Sequence, residues 1–80
     1  MRYVYLLRSS VDPRRTYVGL THDLSTRLDA HNRGEVSSTA RHRPWAIDVV
    51  VRFREDERAI AFERYLKSGS GRAFARRHLW

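Results

Sequence analysis

Hydrophobic and polar positions alternate along Arg2–Arg8, setting Tyr3, Tyr5 and Leu7 on one face of a strand and Val4 and Leu6 on the other. A polar turn containing Pro13, from Ser9 to Arg15, leads into a second strand over Thr16–Leu20, and the two read as an antiparallel hairpin. Gly19 near its end allows a tight turn or the close approach of another group. From His22 to Asn32 the spacing becomes helical. Leu24 and Leu28 form the inward stripe, Thr21 or Asp23 can cap the start, and Arg33-Gly34 is a natural stop. Arg33 to Arg43 has no apolar periodicity and is expected to be loop. Pro44–Phe53 is the most β-branched run and predicts a third strand. A second helix is expected over Glu55–Ser68, with acids at its start and Lys67 at its end, as the macrodipole favours. Ser68-Gly69-Ser70-Gly71 is expected to break it before a short basic helix from Arg72 to His78. The order ββαβαα implies one α+β domain over residues 1–80, a small sheet flanked by helices.

Charge sharpens this picture. Eighty residues carry sixteen Lys and Arg against nine acids, a net charge of +7. Lys67 is the only lysine among them. A planar guanidinium grips phosphate with two donors, so an arginine excess suits a nucleic-acid backbone, although high-GC codon usage produces the same bias. With no cysteine there is no disulfide framework, thiolate metal site or cysteine nucleophile. The apolar runs are too short to span a membrane and the chain opens on a strand rather than a signal peptide, so a cytoplasmic protein is expected.

Glu63 is the most informative single residue. With Ala59 at zero on a helical wheel, Leu66 lies near ~340°, Phe62 near ~300° and Glu63 near ~40°, within the inward stripe. A carboxylate there must be paired, protonated or holding a cation. A salt bridge to an arginine at the core edge satisfies that requirement, and so does Mg²⁺, which takes carboxylate oxygen and keeps much of its water. Tyr5 and Tyr17 stand on paired strands and can share a sheet face. A phenol there either packs with its hydroxyl at the edge or orients a nucleophilic water. Arg27 and His31, four residues apart beside the helical stripe, suit charge neutralisation and proton relay or contact with a phosphate oxygen. Each is also an ordinary helix-surface residue when taken alone.

Together these residues resemble the GIY-YIG nuclease superfamily, in particular its small, single-domain bacterial members. The first motif is Val4-Tyr5-Leu6 and the second is Tyr17-Val18-Gly19. The helix with the arginine is Asp23-Leu24-Ser25-Thr26-Arg27-Leu28, followed by His31-Asn32-Arg33-Gly34, and the later glutamate lies in Phe62-Glu63-Arg64-Tyr65-Leu66-Lys67. The resemblance implies a three-stranded antiparallel sheet with the first strand central. It also implies cleavage of phosphodiesters with one divalent metal, Mg²⁺ or alternatively Mn²⁺. Carried over, Glu63 would hold the metal and Arg27 would stabilise the phosphate. Tyr17 would activate water, with Tyr5 and His31 assisting. There are departures: Val4 and Leu6 replace the first motif's Gly and Ile, Leu20 stands where the excision-repair branch has Lys, and no Asn follows Glu63.

The expected function is a structure-directed DNA endonuclease of repair or recombination. No room is left for a separate DNA-binding domain, so contacts would fall to Arg41, Arg43, Lys67, Arg72, Arg76 and Arg77, with weak sequence preference and strong salt dependence. Two alternatives stand beside it. One is a non-catalytic nucleic-acid-binding module. The other is a subunit active only with a protein partner, met through Trp45, Trp80 or the second helix, that supplies specificity or missing groups.

Overall fold

The alternation in the first strand decides the architecture: Val4 and Leu6 are fully buried on one face, Tyr5 and Leu7 on the other. A computed structural model describes residues 1–80 as β1 (Arg2–Ser9), β2 (Thr16–Thr21), α1 (Leu24–Asn32), β3 (Trp45–Phe53), α2 (Asp56–Leu66) and α3 (Gly69–His78). The sheet has the order β2-β1-β3 with both pairings antiparallel, so β1 is central, as expected. Against Val4 and Leu6 pack Ala59 and Leu66 of α2 and Ala75 of α3. Against Tyr5 and Leu7 pack Trp45, Tyr17, Leu24 and Leu28, so α1 covers the opposite face.

Several boundaries depart from expectation for physical reasons. Helix α1 starts at Leu24 because the Asp23 carboxylate accepts from the Thr26 amide, while Thr21 Oγ1 accepts from the Asp23 amide. Both proposed caps are therefore in use, one behind the other. Leu24 and Leu28 are only half-buried, and His31 is the one fully buried residue of the helix. Gly34 ends it with φ +79°, a conformation side chains rarely adopt. The loop that follows is not all irregular, since Ala40–His42 forms a 3₁₀ turn.

The segment 68–71 does not separate two helices as a flexible break. Ser68 caps α3 by accepting from the Gly71 amide, and its hydroxyl donates to the Tyr65 carbonyl at 2.6 Å. Gly69 to Gly71 thus form the first turn of α3. A Cβ on Gly71 would overlap the Tyr65 carbonyl, so this glycine serves close approach of α2 and α3. The inward stripe of α2 is narrow: Ala59 and Leu66 are buried, whereas the apolar Ile60 and Tyr65 are exposed.

In β3 the register slips between Leu6↔Val49 and Leu7↔Ile47, leaving Asp48 as an extra residue. Such a bulge re-aims a side chain, and the Asp48 carboxylate accepts from Arg8 Nε at 2.9 Å. Trp45, offered above as a partner contact, is buried in the core beneath α1 and cannot present itself to another protein.

Candidate active site

Tyr5 and Gly19 are directly opposed across β1 and β2. A Cβ at Gly19 would strike the Tyr5 ring and hydroxyl, so the glycine of the second motif exists here to let the phenol lie flat across its own strand partner. That path delivers the Tyr5 hydroxyl to α1, 2.9 Å from His31 Nε2, with Arg27 Nε donating to it at 3.2 Å. His31 Nδ1 lies 2.7 Å from Thr39 Oγ1, and Thr39 donates to the Val36 carbonyl at 3.2 Å.

One tautomer of His31 satisfies all of these contacts. Because Thr39 spends its hydrogen on Val36, its oxygen accepts from His31 Nδ1–H. Neutral His31 then presents a lone pair at Nε2, which accepts from the Tyr5 hydroxyl. The chain runs Arg27 to Tyr5 to His31 to Thr39 to Val36, every member satisfied. Its electrostatics agree. Burial, and then the Arg27 charge, push the His31 pKa below its ordinary value, keeping the ring neutral. Burial pushes the Tyr5 phenol up despite the opposing bond from Arg27, so Tyr5 stays protonated and is a donor rather than a base. The bond to Tyr5 chiefly pushes Arg27 up and keeps it cationic.

His31 is completely buried and cannot touch a phosphate oxygen. Arg27 is half-buried and held through Nε, and its guanidinium also lies close enough to the Tyr17 phenol to interact with it. Tyr17 is the more accessible tyrosine; its ring meets His31 edge-on with centroids 4.9 Å apart. Thr39, read as unstructured loop, is the residue that sequence reasoning missed. Its only signal was Trp45, whose indole N–H needs an acceptor and finds the Thr39 carbonyl at 2.8 Å.

Glu63 sits at the margin of the buried stripe rather than within it, its side chain 20% accessible. Its partner is not an arginine: Lys67 Nζ lies 2.7 Å from Oε2, one turn along α2. Lys67 also stands 5.8 Å over the Tyr17 ring, although Tyr17 packs with the α1 face of the sheet and α2 covers the other. Lys67 therefore reaches past β2, an edge strand, and brings Glu63's surroundings beside Tyr17. Nowhere does the chain gather three or more His, Asp or Glu as a metal cage. One accessible carboxylate already neutralised by a cation still fits Mg²⁺, which is commonly held by one or two carboxylates, water and substrate phosphates.

The six proposed nucleic-acid contacts divide. Lys67, Arg72 and Arg76 line an open cleft of ≈ 650 Å³ between β2 and α3, joined there by Arg8 and Arg14, which the sequence reading did not select. Arg41 lies in the 3₁₀ turn and Arg43 directly after it, both outside that cleft, as is Arg77 on α3. No helix is long and apolar enough to cross a membrane.

Comparison with known proteins agrees with this geometry. Residues 1–77 match the family model described as the GIY-YIG catalytic domain. A Cryptococcus neoformans protein named structure-specific endonuclease subunit SLX1 is 47% identical over 53 residues, 59% of this chain and 11% of that protein. A Candida dubliniensis protein of the same name is 36% identical over 84 residues, 95% of this chain and 28% of its own length. The chain thus spans less than a third of these fungal relatives.

Proposed function

This chain belongs to the GIY-YIG family, and we propose that it is the catalytic domain of a metal-dependent endonuclease that hydrolyses DNA phosphodiester bonds at structural features rather than at a sequence. The observation that carries this reading is the tethered Arg27. A guanidinium held at Nε by a buried Tyr5–His31–Thr39 chain presents its terminal amino groups beside the accessible Tyr17, where a phosphate would be gripped in a fixed orientation.

Each residue then has a defined task. Arg27 binds a non-bridging phosphate oxygen and neutralises charge that develops in the transition state. Tyr17 orients the attacking water through its phenol oxygen. Tyr5 positions Arg27, and the neutral His31 ring accepts the Tyr5 hydroxyl's hydrogen bond and holds the phenol in place. Glu63 would hold Mg²⁺, or Mn²⁺, and the ion would supply Lewis-acid stabilisation of the phosphate and leaving oxygens. The printed name of the SLX1 relatives, structure-specific endonuclease subunit, supports this class of activity, and a place in DNA repair or recombination is part of the proposal.

The word subunit in that name also favours a second reading, in which the domain turns over only with a protein partner. Leu20 in place of a lysine points the same way. One experiment separates the two. Wild type and Glu63→Ala are incubated with end-labelled single-stranded, duplex, flapped and four-way-junction DNA, with Mg²⁺, Mn²⁺ or EDTA. Cutting by wild type alone, dependent on metal and restricted to branched substrates, is the expected result. Binding without cutting under every condition would reject catalysis by the isolated chain and leave the partner-dependent reading.

A further inference from the structure

The cleft behind Tyr17 has a composition that the hydrolytic chemistry does not need. Its charged lining residues are all cationic: Arg8, Arg14, Lys67, Arg72 and Arg76. Three are already engaged. Arg8 bonds Asp48 at 2.9 Å and covers the Trp80 ring at 5.3 Å. Arg14 bonds Asp12 at 3.0 Å, and Lys67 bonds Glu63 at 2.7 Å. Arg72 and Arg76 have no carboxylate within ion-pair distance. They stand one turn apart on α3, a like-charged pair that is mildly unfavourable until an anion lies across it. The floor beneath is apolar, formed by Val18, Leu66, Ala75 and Trp80.

Two unpaired cations about 6 Å apart along a helix, over an apolar floor, match a phosphate backbone that carries unpaired bases. A duplex does not fit. Its bases are paired and stacked inside the helix, with no free face to lay on that apolar floor. Tyr17 is shared between this cleft and the Arg27 site, so a strand lying in the cleft ends at the reacting centre.

We propose that the cleft between β2 and α3 binds a single-stranded arm of DNA, with Arg72 and Arg76 gripping its phosphates, and so directs cleavage to places where a duplex opens. This deepens the nuclease reading by assigning the element that recognises structure, and it rests on that reading for its biological sense.

The test measures binding by fluorescence anisotropy in EDTA, with a blunt duplex and the same duplex bearing a single-stranded arm. The quantity read is the ratio of the two affinities, for wild type and for Arg72→Ala/Arg76→Ala. Each phosphate contact to a single strand contributes about 0.7 to the salt slope, so two contacts amount to about 1.4, or roughly 25-fold in 0.1 M salt. The expected result is that the arm strengthens wild-type binding and that the double variant loses this advantage, with the slope for the armed substrate falling by about 1.4. Charge-matched inorganic polyphosphate should compete poorly with the arm, because it lacks bases for the apolar floor. An unchanged ratio in the variant, or equal competition by polyphosphate, would overturn the proposal. Both arginines are exposed and alanine favours helix, while an Arg72→Gln/Arg76→Gln pair repeats the test should the first variant misfold. Since no metal is present, a failure to cleave in a parallel Mg²⁺ reaction would count against the nuclease reading only.

Discussion

Replacing Tyr5 by Phe removes one oxygen and tests the buried chain at its centre. That oxygen serves His31 Nε2 at 2.9 Å and Arg27 Nε at 3.2 Å. Arg27 is half-exposed and can turn to water, so its loss is small. His31 is fully buried, and its lone pair would be left without a donor. An unsatisfied buried acceptor costs roughly 1–3 kcal/mol. A loss near 2 kcal/mol corresponds to a fall in Tm of about 8–16 °C for a domain of this size. The assay is urea and thermal unfolding at pH 7.5, run as a double-mutant cycle with Thr39→Val, which disturbs the other nitrogen of the same ring. The two should couple by at least about 0.5 kcal/mol, because each changes what the ring can do for the other. If Tyr5→Phe costs less than about 0.5 kcal/mol, the value expected of an unremarkable surface change, or if the two effects simply add, the proton assignments along this chain are wrong.

The depressed His31 pKa makes stability depend on pH with a definite sign. Above the ordinary value of 6.5 both states are neutral and His31 contributes no slope; below it the unfolded chain binds a proton that the native ring refuses. Stability should therefore fall as pH drops below 6.5 toward the depressed native value, by at most about 1.4 kcal/mol per pH unit, and urea titrations of wild type against His31→Gln should show that slope only in wild type. Gly19→Ala places a Cβ against a Tyr5 ring that is pinned at its hydroxyl end, so overpacking should cost about 1–3 kcal/mol. An unchanged melting temperature would show that the ring has room to move.

The features legible in the sequence were those written in local periodicity. The alternation Val4-Tyr5-Leu6-Leu7 fixed both faces of β1, and the i, i+4 spacing of Arg27 and His31 set them on one side of α1. What stayed hidden depended on contacts between distant segments. Thr39 looks like any residue of a Ser- and Thr-rich loop until α1 and β3 close over it and seat it against His31. The bulge at Asp48 has no local signature in a β-branched run, yet it gives Arg8 its partner. Ser68 to Gly71 were misread because glycine usually marks a break, whereas here Gly71 is demanded by the Tyr65 carbonyl packed against it. Glu63 was placed on the correct side of α2, but a wheel cannot show that Lys67 would reach it before any arginine did.

The division of labour proposed for the tyrosines is the centre of this account: Tyr5 is buried and keeps its proton, and Tyr17 is the one proposed to face the reacting phosphate. Single-turnover cleavage of a flapped duplex by Tyr17→Phe, with its Kd for the same DNA measured in EDTA, tests this most directly. The expected result is a rate reduced by about 10²–10⁴ with affinity changed by less than about twofold, the range for loss of a positioned acid–base group. A Tyr17→Phe domain that cuts within about threefold of wild type would contradict it, because removing one such group from the chemistry costs at least about a hundredfold.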